Sequence, residues 1–147
     1  MERLSLDADC EWVAVTDELG NAYRFPTPVG SLRSKYPGPS IYRWVSRRSD
    51  GTIESIYVGE TENLGRRIYN YLNPGASQQT SLRMNAELKE LVAGDHVVTL
   101  ERVKFKTILL GGVEIPTASL ADKHVRVMLE HALLLTAQSQ GISTRNA

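Results

Sequence analysis

Tyr42, Tyr57, Arg67 and Tyr71 place three phenols and one guanidinium within a short stretch of chain. Phenols donate and accept hydrogen bonds, and a guanidinium offers a planar fork of donors suited to phosphate or carboxylate. The segment SIYVGETENLGRRIYNYL, Ser55 to Leu72, reads as a strand, a turn and an amphipathic helix over Asn63 to Leu72. Asn63 is a good N-cap type, and Leu64, Ile68 and Leu72 repeat at i, i+4 and i+8 as a buried stripe. At about 100° per residue, Arg67 and Tyr71 share one flank of that stripe. Arg66 falls nearly opposite, as a solvent or backbone-contact charge. A helix N-terminus leaves unpaired N–H groups, so this corner can hold a phosphate with Arg67 one turn inside. The plainer alternative is an Arg67 that snorkels over the sheet edge.

The strand before that helix belongs to a hairpin. In SIYRWVSRRSDGTIESIYVG two β-type runs flank Asp50-Gly51, a strong turn signal. With those two residues as the turn, Trp44 lies opposite Tyr57 and Tyr42 opposite Gly59. Alternation then puts Tyr42, Trp44 and Tyr57 on one face, and Ile41, Val45, Ile56 and Val58 on the other, with Arg43 discordant. The missing side chain at Gly59 leaves space opposite Tyr42. Strand aromatics often do no more than cover a layer of core, and that reading stands beside the chemical one.

The remaining elements must position this unit. EWVAVTDELGNAYRF reads as a hairpin around Gly20-Asn21, and FPTPVGSLRSKYPGP, with its four prolines, as an irregular connection. A second helix is predicted over Thr80 to Val92. HVVTLERVKFKTILLGGVEIP predicts a strand pair turning at Gly111-Gly112, and Ala118 to Gln138 a long helix closed by Gly141. This order predicts an α+β fold: a small central antiparallel or mixed sheet flanked by helices, with an extra N-terminal β-hairpin. The 147 residues fit one domain. Residues 1–38 form the hairpin extension and its connector, and 39–147 the core.

Composition narrows the class. Hydrophobic residues make up 41% and charged residues 23%, ordinary for a soluble globular protein. The net charge is zero, yet the first twenty residues hold six acids against Arg3 alone. The rest therefore carries a modest basic surplus, which permits a polyanion partner without the footprint of a dedicated DNA binder. Most of these charges form a solvated face. Cys10 is the single cysteine, no apolar leader follows Met1, and no apolar run reaches membrane-span length. A cytoplasmic protein without membrane contact is expected.

Taken in order, these residues resemble the GIY-YIG nuclease superfamily. Its first motif stands here as Ser40-Ile41-Tyr42 and its second as Tyr57-Val58-Gly59, followed by Thr61, Asn63-Leu64, Arg67 and Tyr71. Glu130 in VRVMLEHALLL and Asn146 in STRNA match the later Glu and Asn in order and approximate separation. The resemblance runs from about Pro39 to Asn146. It implies an endonuclease that hydrolyses DNA phosphodiesters with one divalent cation, Mg²⁺ or Mn²⁺. By the same resemblance Tyr42 orients or activates water, and Tyr57 hydrogen-bonds beside it. Arg67 neutralises the scissile phosphate, Glu130 binds the cation, Tyr71 assists proton transfer or phosphate contact, and Asn146 braces the site. Ser40 replaces the family's Gly, and Tyr71 stands where relatives often carry His, a better base at neutral pH. A descendant that kept the fold as a non-catalytic nucleic-acid or protein-binding module is the alternative.

The other candidates divide between chemistry and support. Glu130 could instead pair with Arg126 at i−4 on an exposed helix face. Glu60, beside Gly59, could disfavour DNA or help hold the cation. Gln78, Gln79, Thr80, Arg83 and Asn85, with Arg66, supply groups able to contact phosphates or base edges, or else form a polar loop and helix start. Lys104 and Lys106 extend a basic track or protect a strand edge. His124 and His131 share the apolar side of the last helix and are expected as core or cap residues. The acidic N-terminal hairpin is expected to extend the sheet, cover an edge or form a dimer surface. One centre nicks one strand at a time, so cutting both requires a homodimer or sequential events. The sequence does not separate DNA from RNA.

Overall fold

The Asp50-Gly51 signal produces a hairpin of β2 (Ser40–Arg47) and β3 (Ile53–Thr61) in the computed structural model, which describes residues 1–146. Tyr42 pairs with Gly59 and Trp44 with Tyr57, in the expected register. The turn itself is one residue longer than expected. Arg48 N–H bonds the Thr52 carbonyl at 2.9 Å, so Ser49, Asp50 and Gly51 form the loop, with Gly51 at φ +88°. Arg47 then faces Ile53, and the extra residue Glu54 restores the register before Ser55 meets Ser46.

β2 lies inside a five-stranded antiparallel sheet. β1 (Leu6–Ala14) pairs with β4 (Val97–Leu110), β4 pairs with β2, and β2 with β3, while the two-residue β5 (Val113–Glu114) folds back on the end of β4. The fold is α+β with an N-terminal strand. The expected N-terminal hairpin shrinks to one bridge, Thr16 to Ala22, and the ladder partner of β1 is β4. The returning segment carries Pro26 and Pro28, which have no N–H to give a ladder. The connector also enters the core: Val15, Tyr23, Phe25, Val29 and Leu32 pack with Trp44. It includes α1 (Leu32–Lys35).

Alternation along β2 and β3 sends the side chains to two packing layers. Tyr42, Trp44 and Tyr57 pack with residues of α2 (Leu64–Leu72) and α3 (Gln79–Ala93). Ile41, Val45, Ile56 and Val58 pack with Leu129 and Ala137 of α4 (Lys123–Ser139). The last helix starts later than expected, because Pro116 opens a 3₁₀ turn over Thr117–Ala121 and Asp122 caps α4 by accepting the His124 N–H at 2.8 Å. His124 and His131 are not core residues. Their side chains are exposed, since the buried stripe of α4 runs through Arg126, Leu129 and Ala137 instead. Among the described residues no helix is long and apolar enough to cross a membrane.

Candidate functional site

Helix α2 presents the site, and its own start is fully spent. Asn63 caps it, its side chain accepting the Arg66 N–H at 3.0 Å. The Leu64 and Gly65 N–H groups donate to the carbonyls of Gly38 (3.1 Å) and Tyr36 (2.7 Å), and Arg67 N–H to Asn63 (3.0 Å). The expected phosphate corner at these N–H groups is therefore closed: the proline-bounded connector supplies acceptors that the sequence pattern did not reveal. Gly65 permits this approach, since a β-carbon there would stand 2.7 Å from the Arg33 carbonyl carbon. Arg66 points away and pairs with exposed Glu62 at 2.6 Å.

Deeper in the helix, Arg67 and Tyr71 meet the phenols of the sheet. Tyr42 and Tyr71 share a 2.7 Å hydroxyl–hydroxyl hydrogen bond, and Arg67 Nε donates to the Tyr42 oxygen at 3.3 Å. The Arg67 guanidinium carbon lies 4.8 Å from the Tyr71 ring centroid, and Nη1 reaches Ser81 Oγ at 3.4 Å. Tyr71 packs edge-on against Trp44, Tyr42 and Tyr57, with centroids 5.5, 6.1 and 6.5 Å away. Tyr71 is thus more central than Leu72, which is only half-buried. The space at Gly59 is filled by Tyr42 itself: a β-carbon there would lie 2.5 Å from Tyr42 Cζ and closer still to the hydroxyl. Gly59 is what lets the phenol lie across β3.

Electrostatics follow from this burial. Tyr42 and Tyr71 are each 1% exposed. Burial pushes the Tyr42 hydroxyl up to about 12, with the Arg67 charge opposing it. Burial also carries Tyr71 well above the ordinary tyrosine value, reinforced by the neighbouring phenols of Tyr42 and Tyr57. Burial disfavours the Arg67 cation, but Tyr42 and Tyr71 outweigh it and hold its pKa above the usual value. At neutral pH the cluster is two neutral hydroxyls against a permanent cation. Among the described residues no carboxylate pairs with Arg67.

Glu130 stands on α4, which packs the aliphatic face, and its carboxylate reaches the Glu60 main-chain N–H on the outer edge of β3. No hydrogen bond joins it to the tyrosines among the described residues. Its side chain is 17% exposed and has His131 Nε2 at 3.5 Å. Burial first, and the charge of Glu60 second, raise its pKa, while the Glu60 main-chain N–H and His131 favour the anion. The alternative Arg126–Glu130 pair does not form. Arg126, 5% exposed, pairs with Glu60 at 2.8 Å and donates to the carbonyls of Leu120 and Ala121. The 3₁₀ turn before α4 brings those carbonyls under the guanidinium. Glu60 is thereby committed to Arg126, on the face away from Arg67.

The C-terminal segment covers the outer edge of β3. Ile56 N–H donates to the Ser143 carbonyl at 3.0 Å and Arg145 N–H to Ile56 at 2.8 Å. Asn146 grips Val58 with both ends of its amide, accepting at 3.0 Å and donating at 2.7 Å. Arg145 pairs with Glu54 at 2.9 Å and donates to Ser55 Oγ at 2.6 Å.

The polar residues of α3 are unequal. Gln79 and Thr80 are exposed, while Gln78 caps the preceding loop by accepting the Gly75 N–H at 3.0 Å. Arg83 bonds Glu87 and the Arg145 carbonyl, both at 3.2 Å. Asn85 is buried, donating to the Tyr71 carbonyl at 2.7 Å, so its amide is not presented to a ligand. Sequence reasoning missed Ser81 and Arg145. Ser81 carried a usable signal, four residues before Asn85 on the buried stripe of α3. Comparison with family models, with curated proteins and with solved structures returned no match.

Proposed function

We propose that this protein hydrolyses phosphodiester bonds in DNA as a cation-assisted endonuclease of the GIY-YIG kind. One observation carries the reading: Arg67, half-buried and without a carboxylate partner, donates to the Tyr42 hydroxyl and lies over the Tyr71 ring, beside a glycine that makes room for Tyr42. A buried cation without an anion is costly, and an incoming phosphate is the group that would complete it. In this reading Arg67 neutralises charge growing on the equatorial oxygens. Tyr42, protonated at neutral pH, orients the attacking water by hydrogen bonding, and Tyr71 fixes the direction of its hydroxyl. Tyr57 lines the same wall, and Asn146 holds β3 in place.

Glu130 suits a hard divalent cation only as a single carboxylate without a Lys or Arg partner; among the described residues no group of three metal-ligating side chains forms, so water and substrate phosphate would have to supply the remaining ligands. Magnesium is commonly held by one or two carboxylates with waters and substrate phosphate. When bound, Mg²⁺ or Mn²⁺ would supply charge stabilisation at the phosphoryl and leaving oxygens.

Plasmid nicking with Mg²⁺ or Mn²⁺, comparing wild type with Arg67→Ala and Glu130→Ala, tests this. Both variants are expected to lose activity while remaining folded, and equal nicking by all three would reject the assignment. A second reading, a non-catalytic binding module, is favoured by the burial of the Tyr42 and Tyr71 hydroxyls. It predicts gel-shift binding without cleavage.

A further inference from the structure

Arg102 stands beside Tyr42 in the β2–β4 ladder, so it shares the face that carries the phenols. Its guanidinium carbon lies 5.5 Å from the ring centroid of Tyr36. Lys35, Tyr36, the 37–40 turn, Leu64 and Arg102 wall a cavity of about 280 Å³. No acidic side chain lines it. The cavity at Tyr23 has Asp17 and Glu18, and the one at the β1–β4 bulge has Asp9 and Glu11.

The donors and acceptors of this cavity are unevenly spent. Arg102 Nε is buried without a hydrogen-bond partner, and among the described residues no carboxylate pairs with this side chain. Lys35 is pinned, its Nζ donating to Thr16 O, Thr16 Oγ1 and Asp17 O at 3.0–3.1 Å, and contributes a fixed charge. The carbonyls of Tyr36 and Gly38, which an anion would avoid, already accept from Gly65 and Leu64. A cationic donor is left over while these nearby acceptors are used, the reverse of a cation site. Leu64 also lies one helical turn before Arg67, so the cavity adjoins the phenol cluster.

We propose that this cavity is a second phosphate subsite, in which Arg102 holds a backbone phosphate of the strand whose scissile phosphate lies at Arg67. The strand assignment rests on the nuclease reading, whereas the anion site stands on the cavity alone. Lys35 adds charge without a direct bond, and the Arg102 fork supplies the contact.

Two measurements test it. Inorganic phosphate, titrated at constant ionic strength into ¹⁵N-labelled protein, is expected to shift the Arg102 Nε–H signal and leave that of Arg66 in place. An unmoved Arg102 signal overturns the anion site. Arg102→Gln, which keeps much of the stem against Tyr36, is expected to bind a DNA oligonucleotide about tenfold more weakly. The slope of log Kd against log salt should fall by about 1. Arg102→Lys should keep the salt slope and lose affinity a few-fold, because it retains charge without the fork. A phosphate-induced shift with unchanged DNA binding in Arg102→Gln overturns the strand assignment. A wild type that neither binds nor cuts DNA removes the nuclease reading and the strand assignment together, and the phosphate titration then decides the anion site alone.

Discussion

The helices on the two faces of the β2–β3 hairpin each bring in an arginine, Arg126 buried and Arg67 half-buried, and the fold treats them in opposite ways. On the aliphatic face, Arg126 has Glu60 at 2.8 Å and two carbonyls, so its charge is answered within the fold. On the aromatic face, Arg67 has only neutral hydroxyls at 3.3 and 3.4 Å. An answered charge holds elements together, and an unanswered one is available to a ligand. Glu130 is the counterpart exception on the aliphatic side, a carboxylate whose Arg neighbour is committed elsewhere.

Mutation can break or sharpen this contrast. The largest expected effect is on the aliphatic side: Arg126→Ala strands Glu60 and should cost about 3 kcal/mol in chemical denaturation. A loss below about 0.5 kcal/mol would mean that the pair is not structural. Arg67→Ala should do the reverse, leaving stability within about 1 kcal/mol while nicking falls about 100-fold, equivalent to about 2.7 kcal/mol. Gly59→Ala drives a methyl into the Tyr42 ring and should destabilise by about 1–3 kcal/mol, read as a fall in Tm.

Glu130→Gln is a smaller test with a definite sign. Folding raises the Glu130 pKa, so folding disfavours the ionised form. At acidic pH both folded and unfolded chains are protonated, and mutant and wild type should melt alike. As pH climbs from the ordinary glutamate range through the raised folded value, wild type loses stability relative to Glu130→Gln. The variant should therefore melt higher at pH 7 while nicking less, and a lower Tm would refute the burial argument. Smallest of all is Arg66→Ala, which breaks an exposed pair and should change stability by under about 0.5 kcal/mol and nicking by under about twofold.

What was legible in the sequence was what short-range periodicity encodes. The pairing of Tyr42 with Gly59, the partition of both hairpin faces and the unequal roles of Arg66 and Arg67 all followed from period 2 and period 3.6. The contacts that decide which charges are free were not legible, because they close over long separations. Arg126 meets Glu60 across 66 residues, and the connector carbonyls that occupy the start of α2 leave no pattern of their own. The glycine gap was read correctly as space and incorrectly as empty, since a close-packed interior fills such space with the nearest ring. The hairpin expected at Gly20-Asn21 is short for a local reason: after the Thr16–Ala22 bridge the returning segment turns to β4 at Arg24, and Pro26 and Pro28 follow.

The clamp of Asn146 on Val58 also sets an order of events during synthesis. The two residues lie 88 apart, so β3 leaves the ribosome long before the segment that covers its outer edge. At about 5–20 residues per second, that edge stays bare for roughly 4–18 s, with its backbone groups open to any passing strand. Glu54, Glu60 and Glu62 on and beside β3 place like charges along the exposed ribbon during that interval. These acids would then serve as temporary protection for a nascent chain.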